Sequence, residues 1–230
     1  MGNALKEYLL FDLDGTLTDP KVGICTCVQY ALKAFGIDEP DIDKLEPFIG
    51  PPLKDSFMQF YRMEEAQAEA AVAKYRERFQ DVGLFENEIY DGVPQMLKDL
   101  SEKGLHLAVA SSKPTVFVER ILEHFGIRQY FQVVVGSELD GRRVNKDEVV
   151  DEALHQLFGS HPVQKDKVYM IGDRKFDVEG ARALGVESVG VTYGYGGMEE
   201  LKEAKADYIV QSVEELHFFC CGAQRMNPEA

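Results

Sequence analysis

The chain has few cysteines, no long apolar run and too few positive charges to balance its negative ones. The four cysteines lack zinc-ligand spacing and have no histidine partner nearby, so we expect reduced thiols at Cys25, Cys27, Cys220 and Cys221. No apolar run approaches the roughly 18 residues that a membrane span needs, and the opening MGNALKEY is too short and polar for a secretory signal. We therefore expect a cytoplasmic protein.

The shortage of positive charge restricts the possible partners. The 230 residues include 25 Lys and Arg against 40 Asp and Glu, a formal net charge of -15. So acidic a surface repels nucleic acid and anionic membranes, and an anionic ligand must be met by locally placed cations or a bound metal. We expect a small-molecule partner, no nucleic acid, no membrane, and a chain that acts as a monomer or a homodimer.

Short apolar runs alternate with stretches of helical periodicity, the pattern of an α/β protein with a mostly parallel sheet. Two of the helical stretches are stopped by glycines, Gly126 and Gly159. The expected strands are residues 8–11, 105–110, 131–135, 168–171, 189–191 and 208–210. This pattern predicts a Rossmann-like core.

The segment between the first two predicted strands breaks this alternation. From about residue 20 to residue 87 we find no convincing strand, while apolar residues repeat at helical spacing from Ile24 to Phe35 and from Ala68 to Val82. A crossover needs only about a dozen residues. We therefore expect an α/β catalytic core from residues 1–19 and 88–230, with residues 20–87 inserted as an all-helical cap.

Polar residues follow several of the predicted strands. Ligands of open α/β sheets bind outside the carboxyl ends of the strands. The residues at these ends are Asp12 and Asp14 after the first strand, Ser111, Ser112 and Lys113 after the second, Asp173 and Asp177 after the fourth, and Lys146 at the start of the preceding helix. Because the strands are parallel, all of these groups can meet at one edge of the sheet.

Converging carboxylates favour a metal ion. Asp12, Asp14 and Asp173 would raise one another's pKa and destabilise the fold unless a cation joined them. Since the available donors are oxygens, a hard divalent ion fits best, and Mg²⁺ is the expected cofactor. Beside it, Ser111 and Lys146 could bind a phosphate.

Backbone amides of the turn after the first strand, Leu13 and Gly15, would complete that phosphate site together with Ser112. A carboxylate held in line with a bound phosphoryl group can attack phosphorus and form an aspartyl phosphate.

Four segments, FDLDGTLTD, VASSK, the isolated Lys146 and IGDRKFD, resemble in order and approximate spacing the four signature motifs of the haloacid dehalogenase-like hydrolase superfamily. The resemblance is closest to the phosphoglycolate phosphatase-like and nucleotidase-like branch. It implies that Asp12 is the nucleophile and Asp14 the general acid and base. Family members often have Lys-Pro at the third motif, where this chain has RRVNKDEV.

The resemblance also implies roles for the remaining residues. Ser111 would bind phosphate, Lys146 would stabilise charge, and Asp173 would bind the metal together with the backbone carbonyl of Asp14. Asp177 would orient its neighbours rather than bind the metal directly.

Each motif has a structural alternative. DxDG could begin a calcium loop, but such a loop needs Gly and Glu where this chain has Leu17 and Gly23. An acidic helix cap could explain IGDRKFD, and turn chemistry could explain Ser-Ser-Lys-Pro. Lys146 competes for its role with Lys113, Arg142 and Arg143.

Two further segments are candidates for contact with the substrate. FIGPPLKDSF has a rigid turn before a helix that should begin near Leu53, and related capped phosphatases use this segment for substrate selection, which makes Lys54 a candidate contact. VTYGYGG could be a mobile loop near the site, although ordinary loop punctuation explains it as well.

The expected function is Mg²⁺-dependent hydrolysis of a small phosphate monoester, phosphoglycolate-like or a nucleoside monophosphate. A haloacid dehalogenase would need neither Asp14 nor a metal, and a phosphonate hydrolase would need a Schiff-base lysine from the cap. A sugar phosphate mutase of the same family would keep both aspartates, and a non-catalytic phosphate- or metal-binding regulator would show no turnover.

Overall fold

The computed structural model describes residues 6–222. The strands are β1 (Tyr8–Phe11), β2 (Thr18–Asp19), β3 (Glu88–Ile89), β4 (His106–Pro114), β5 (Val133–Ser137), β6 (Val168–Gly172), β7 (Glu187–Val191) and β8 (Tyr208–Val210). Six of them form one sheet in the order β5-β4-β1-β6-β7-β8, in which every neighbouring pair is parallel. The predicted α/β fold with a mostly parallel sheet is confirmed.

Nine α-helices connect these strands within the described residues. They are α1 (Lys21–Ala34), α2 (Leu53–Tyr61), α3 (Glu65–Arg78), α4 (Val93–Glu102), α5 (Thr115–His124), α6 (Lys146–Phe158), α7 (Lys175–Ala183), α8 (Gly197–Glu203) and α9 (Val213–Cys220). Short 3₁₀ helices span Ile42–Phe48, Arg128–Tyr130 and Lys165–Lys167, and a π-helical turn spans Phe79–Gly83. None of the helices between residues 6 and 222 combines the length and the apolar character needed to cross a membrane.

The central strand β1 explains why the core strands are apolar throughout. Leu9 and Phe11 pack in the larger core cluster on one face of the sheet, while Leu10 packs with Met170 and the apolar side of α6 on the other. A parallel sheet covered by helices on both faces leaves no strand face for water. The run of apolar residues before Asp12 therefore anchors the following turn in the interior.

Strand register places the ends of β1, β4 and β6 side by side. Phe11 pairs with Val109 of β4 and with Ile171 of β6, and neighbouring strands lie about 4.8 Å apart. Strand β4 continues beyond the predicted end at residue 110 as far as Pro114, which pairs with Ser137 after an irregularity in the register. Such irregularities redirect side chains at the rim of a sheet, and here they affect Ser111 to Lys113.

Residues 20–87, called the helical insertion below, are all described and contain helices but no strand. On either side of the insertion, β2 and β3 form a two-residue antiparallel ribbon, with Thr18 opposite Ile89 and Asp19 opposite Glu88. Inside the insertion, a β-carbon on Gly23 would overlap the carbonyl oxygen of Gly83. The absence of a side chain at Gly23 therefore allows α1 to contact the π-helical turn Phe79–Gly83 near the end of the insertion.

Candidate active site

The candidate site lies at the carboxyl ends of the central strands. Asp12 follows β1 directly, and its main-chain N–H donates to the carbonyl of Ile171 at 2.8 Å. Asp173 follows β6 and has no solvent exposure. The parallel pairing of β1 with β6 thus fixes both aspartates at one edge of the sheet.

Three buried carboxylates form a cluster at this edge. Oxygens of Asp12, Asp173 and Asp177 lie within 4.8 Å of one another. Burial raises the pKa of Asp173 well above its usual range, and the charges of Asp177 and Asp12 raise it further. Burial also raises the pKa of Asp177 to about 6, although Lys146 lowers it in part.

Lys146 joins two members of this cluster. Its Nζ lies 2.7 Å from Asp12 Oδ1 and 2.7 Å from Asp177 Oδ1, and it donates to the carbonyl of Ala110 at 3.0 Å. Burial lowers the pKa of Lys146, but the charges of Asp12 and Asp177 outweigh burial and raise it above its ordinary value. One ammonium against three carboxylates leaves an excess of negative charge, which a divalent cation with oxygen ligands fits.

The helix start at Lys146 places this ammonium group. Asn145 caps α6 in a capping box with Glu148, which stabilises a helix beginning at residue 146. A β-carbon on Gly180 of α7 would lie 2.8 Å from Lys146 Cγ. The absence of a side chain at Gly180 makes room for the lysine stem beside the cluster.

Asp14 is not a member of this group of three carboxylates and pairs with Lys113. The lysine Nζ lies 2.9 Å from Asp14 Oδ1 and 2.7 Å from Oδ2. Burial raises the pKa of Asp14, and Lys113 opposes the effect. In the sequence Lys113 was only a competitor for the role of Lys146, because spacing does not show which carboxylate each lysine meets.

Gly15 forms the turn between Asp14 and the rest of the first motif. It has a φ of +79°, and a β-carbon there would overlap the carboxylate of Asp173. Its N–H donates to the carbonyl of Thr18 at 2.8 Å, and the carbonyl of Leu13 accepts from Leu17 N–H at 2.9 Å. The amide of Gly15, expected to bind substrate, is thus bonded inside its own turn.

The two serines of the second motif lie at the extended end of β4. Ser111 is buried, and its Oγ accepts from the N–H of Lys113 at 3.4 Å. Ser112 lines a cavity, and its carbonyl accepts from Ser137 Oγ at 2.7 Å. The structure therefore places Ser112 beside a space that a substrate could occupy.

This cavity, of about 150 Å³, lies between the core and the helical insertion. On the core side it borders Asp14 and Lys113, and on the insertion side its lining includes Phe48, Lys54, Tyr75, Arg76 and Phe79. Lys54, the expected substrate contact, donates to Glu65 at 2.6 Å and to Glu69 at 2.9 Å. It lies at the cavity while being paired with carboxylates of its own segment.

Residues 193–196, called the tyrosine loop below, pack against the carboxylate cluster. The N–H of Tyr195 donates to Asp173 Oδ2 at 2.7 Å, and the hydroxyl of Tyr193 donates to the carbonyl of Thr16 at 3.0 Å. From the sequence this loop was only a possible neighbour of the site. The alternation of Tyr and Gly in VTYGYGG is the sequence feature that points to this loop as a neighbour of the site.

Buried carboxylates at the strand ends, a bridging lysine and an adjoining cavity match the haloacid dehalogenase-like pattern of motifs. The family model described as haloacid dehalogenase-like hydrolase matches residues 9–191, from within β1 to the end of β7. The chain belongs to the haloacid dehalogenase-like hydrolase family. The resemblance drawn from the motifs is confirmed.

Several similar proteins are named as nucleotidases or phosphatases. A 5'-nucleotidase of Pseudomonas aeruginosa is 49% identical over 204 residues, covering 88% of this chain and 90% of the relative. A phosphoglycolate phosphatase of Vibrio parahaemolyticus is 31% identical over 91% of this chain and 94% of its own length. The crystal structure of a predicted phosphatase from Clostridium acetobutylicum has a TM-score of 0.91 at 48% identity, covering 95% of this chain and 99% of that one.

A further relative carries a different name. Tyrosine-protein kinase PtkA of Mycobacterium tuberculosis is 36% identical over 91% of this chain and 71% of its own length. The relative at 49% identity is named a 5'-nucleotidase, and the relative at 31% identity and the solved structure carry phosphatase names. The chain is therefore an enzyme of the phosphatase class, while the names of its relatives differ in substrate.

Proposed function

We propose that this protein hydrolyses a small phosphate monoester in a Mg²⁺-dependent reaction, through an aspartyl-phosphate intermediate on Asp12. The observation that carries the proposal is the buried cluster of Asp12, Asp173 and Asp177, in which Lys146 pairs with Asp12 and Asp177. Such a cluster is costly unless a cation completes it, and the cavity beside Asp14 offers space for the rest of a substrate.

Asp12 would act as the nucleophile. Its carboxylate oxygen attacks phosphorus, the bond from phosphorus to the ester oxygen breaks, and Asp14 donates a proton to the departing alcohol. Water then attacks the phosphorus of the aspartyl phosphate while Asp14 takes its proton. The bond to Asp12 breaks, and inorganic phosphate leaves with the enzyme restored.

The surrounding residues support these steps. Lys146 holds one oxygen of Asp12 at 2.7 Å, so it orients the nucleophile and provides positive charge. Asp12 and Asp173, with the backbone carbonyl of Asp14, would hold Mg²⁺, and the Asp177 carboxylate lies in the same cluster. When bound, the ion supplies positive charge against the phosphoryl oxygens.

The helical insertion would act as a cap over the site. It contacts the core through polar bonds as well as through the cavity lining: Arg174 donates to the carbonyl of Ile49, and Arg76 donates to the carbonyl of Leu139 at 3.1 Å. A closed cap excludes bulk water from the aspartyl phosphate, and opening releases the product.

Aromatic residues in the cavity favour a nucleoside monophosphate over phosphoglycolate. The rings of Tyr75 and Phe79 stack with centroids 5.1 Å apart, and Phe117 packs edge-on against Phe79 at 5.3 Å. Such a wall suits a nucleobase, which can stack or pack against it. The name of the relative at 49% identity supports the same choice.

The experiment that tests this function is phosphate release from nucleoside monophosphates, phosphoglycolate, sugar phosphates and pyrophosphate, each with Mg²⁺ and with EDTA. We expect Mg²⁺-dependent release, fastest from a nucleoside monophosphate. Faster release from phosphoglycolate would overturn the substrate choice only. Interconversion of sugar phosphates without net phosphate release would favour the mutase, and no turnover of any compound would favour a non-catalytic role.

A further inference from the structure

We propose that Tyr195 is a positioning residue that connects the carboxylate of Asp173 to the start of the helical insertion. The inference rests on the proposed function, because it concerns the orientation of an expected magnesium ligand. Tyr195 makes one hydrogen bond with its main chain and another with its side chain, to two aspartates on different elements of the fold.

The main-chain contact fixes one oxygen of Asp173. Tyr195 N–H donates to Asp173 Oδ2 at 2.7 Å. A β-carbon on Gly194 would overlap the Asp173 side chain, and one on Gly196 would overlap the Asp173 carbonyl oxygen. The tyrosine loop therefore lies directly against Asp173, and its glycines allow this approach.

The side-chain contact fixes Asp19. The hydroxyl of Tyr195 donates to Asp19 Oδ1, and the same oxygen accepts from the N–H of Lys21 at 3.0 Å. Asp19 ends β2, and Lys21 is the first residue of α1. The carboxylate that Tyr195 holds therefore also fixes the first turn of the helical insertion.

A neighbouring tyrosine makes a second connection between the same parts of the fold. Tyr193 donates to the carbonyl of Thr16 at 3.0 Å, and its ring packs edge-on against Tyr90 with centroids 5.1 Å apart. Thr16 precedes the insertion and Tyr90 follows it. The tyrosine loop thus touches both connections to the insertion while it holds Asp173.

These contacts make the orientation of Asp173 depend on the position of the insertion. If β2 and α1 shift relative to the core, the phenol of Tyr195 loses Asp19 or moves with it. Movement of the tyrosine loop also moves the main-chain N–H of Tyr195, which donates a hydrogen bond to Asp173. Mg²⁺ binding at Asp173 and closure of the insertion should therefore favour each other, since coupling between two sites is reciprocal.

The test compares Mg²⁺ affinity, measured by isothermal titration calorimetry without substrate, in the wild type and in Tyr195→Phe. We expect about five-fold weaker binding in the variant, the lower end of typical couplings. Tyr30→Phe is the matched control, because Tyr30 also donates to a carboxylate, Glu77 Oε2 at 3.2 Å, but at an exposed position on the insertion. This control should bind Mg²⁺ as the wild type does.

A double-mutant cycle with Asp19→Ala tests the connection itself, because alanine lacks the oxygen that accepts from the Tyr195 hydroxyl. We expect each single variant to weaken Mg²⁺ binding and the double variant to bind no more weakly than Asp19→Ala alone, because both substitutions remove the same hydrogen bond. Hydrogen exchange provides an independent readout: added Mg²⁺ should protect residues 18–24 in the wild type and protect them less in Tyr195→Phe. A purely structural role would lower stability without changing this Mg²⁺-dependent protection.

The outcomes separate the two proposals. Absence of Mg²⁺ binding in the wild type would contradict the proposed function. Wild-type binding with unchanged affinity in Tyr195→Phe, or additive effects in the cycle, would overturn the role of Tyr195 and leave the proposed function intact.

Discussion

The core and the helical insertion hold their charges in opposite ways on the two sides of the cavity. In the core, Asp173 and Asp177 are almost completely buried, and one lysine, Lys146, pairs with both Asp12 and Asp177. In the insertion, Lys54 pairs with Glu65 and Glu69, whose side chains remain 70% and 62% exposed. Exposed ion pairs contribute little to the stability of the fold. Buried carboxylates whose charge is not balanced destabilise the fold unless a cation binds to them.

This difference indicates that the core and the helical insertion have different roles. We expect that the charges of Asp12, Asp173 and Asp177 cannot change without altering the chemistry, because each of them depends on its buried neighbours. The insertion can exchange its surface charges at little cost, and it contributes aromatic surface such as Phe79 to the cavity. We therefore expect substitutions in the carboxylate cluster of the core to remove activity and substitutions in the insertion to adjust substrate preference.

The largest effect is expected for Asp12→Asn. The amide cannot attack phosphorus, so turnover should fall by at least about 1,000-fold, as is usual when a nucleophile is lost. The fold should persist, because Lys146 retains Asp177 at 2.7 Å. Steady-state kinetics and thermal unfolding measure the two quantities.

The matched control is Asp207→Asn. Asp207 accepts from Ser188 N–H at 2.8 Å and from its hydroxyl at 2.9 Å, at the amino ends of β7 and β8. This variant should keep its turnover even if it loses stability. Appreciable turnover in Asp12→Asn would remove Asp12 from the role of nucleophile.

The next largest effect is expected for Gly15→Ala, with Gly36→Ala as its control. Both glycines have similar φ values, +79° and +77°, but a β-carbon overlaps Asp173 only at Gly15, and nothing lies within 4 Å at Gly36. The control should lose about 1 kcal/mol of stability from backbone strain alone. Gly15→Ala should lose more and should also bind Mg²⁺ more weakly.

Chemical denaturation and Mg²⁺ titration of the two glycine variants measure these losses. Equal stability and equal Mg²⁺ affinity in both variants would show that Asp173 tolerates a side chain at position 15.

A smaller effect is expected from pH. In the folded, metal-free protein the pKa of Asp177 is raised from 3.8 to about 6, so the unfolded chain releases this proton first as the pH rises. The stabilising contribution of protonated Asp177 is therefore fully present below about pH 4 and is lost as the pH rises through about 6. Because Mg²⁺ binds the ionised carboxylates, the ion should raise the melting temperature more at pH 7 than at pH 5.

Thermal unfolding at pH 5, 6 and 7, with Mg²⁺ and with EDTA, checks this dependence. Asp177→Asn should show a flatter pH dependence than the wild type, since its amide does not titrate. A Mg²⁺ effect that is the same at all three pH values would contradict the raised pKa in the cluster.

The smallest effect is expected for Lys54→Ala in the insertion. Lys54 borders the cavity but is engaged by Glu65 and Glu69 at an exposed position. We expect a rise in KM of at most about three-fold with kcat unchanged, the behaviour of a residue that contributes only to binding. A large loss of kcat would show that the insertion takes part in the chemistry.

The fold could be predicted because its signals are local. Uninterrupted apolar runs identified the sheet strands, and glycine stops identified ends of crossover helices. The helix start near Leu53 also follows from Pro51 and Pro52 alone. The ribbon of β2 and β3 escaped prediction because two residues per strand carry no periodicity.

The site was predictable to the extent that the backbone determines it. Parallel strand ends bring Asp12 and Asp173 together whatever their rotamers. The pairing of Asp14 with Lys113, 99 residues away, and of Tyr195 with Asp19, 176 residues away, depends on side-chain direction and long-range packing. Neither the inclusion of Asp177 in the cluster nor the partners of Lys54 follow from spacing.

The ribbon of β2 and β3 makes the helical insertion an exchangeable part. Thr18 faces Ile89 and Asp19 faces Glu88, so the chain leaves the core and returns to it at the same place. Because its two ends are adjacent, the insertion connects the strands of the sheet as a single surface loop would. The entropic cost of closing such a loop grows only slowly with its length. We expect a graft that replaces residues 20–87 by another segment with adjacent ends to leave the carboxylates at the strand ends in place and to present them with a different set of substrates.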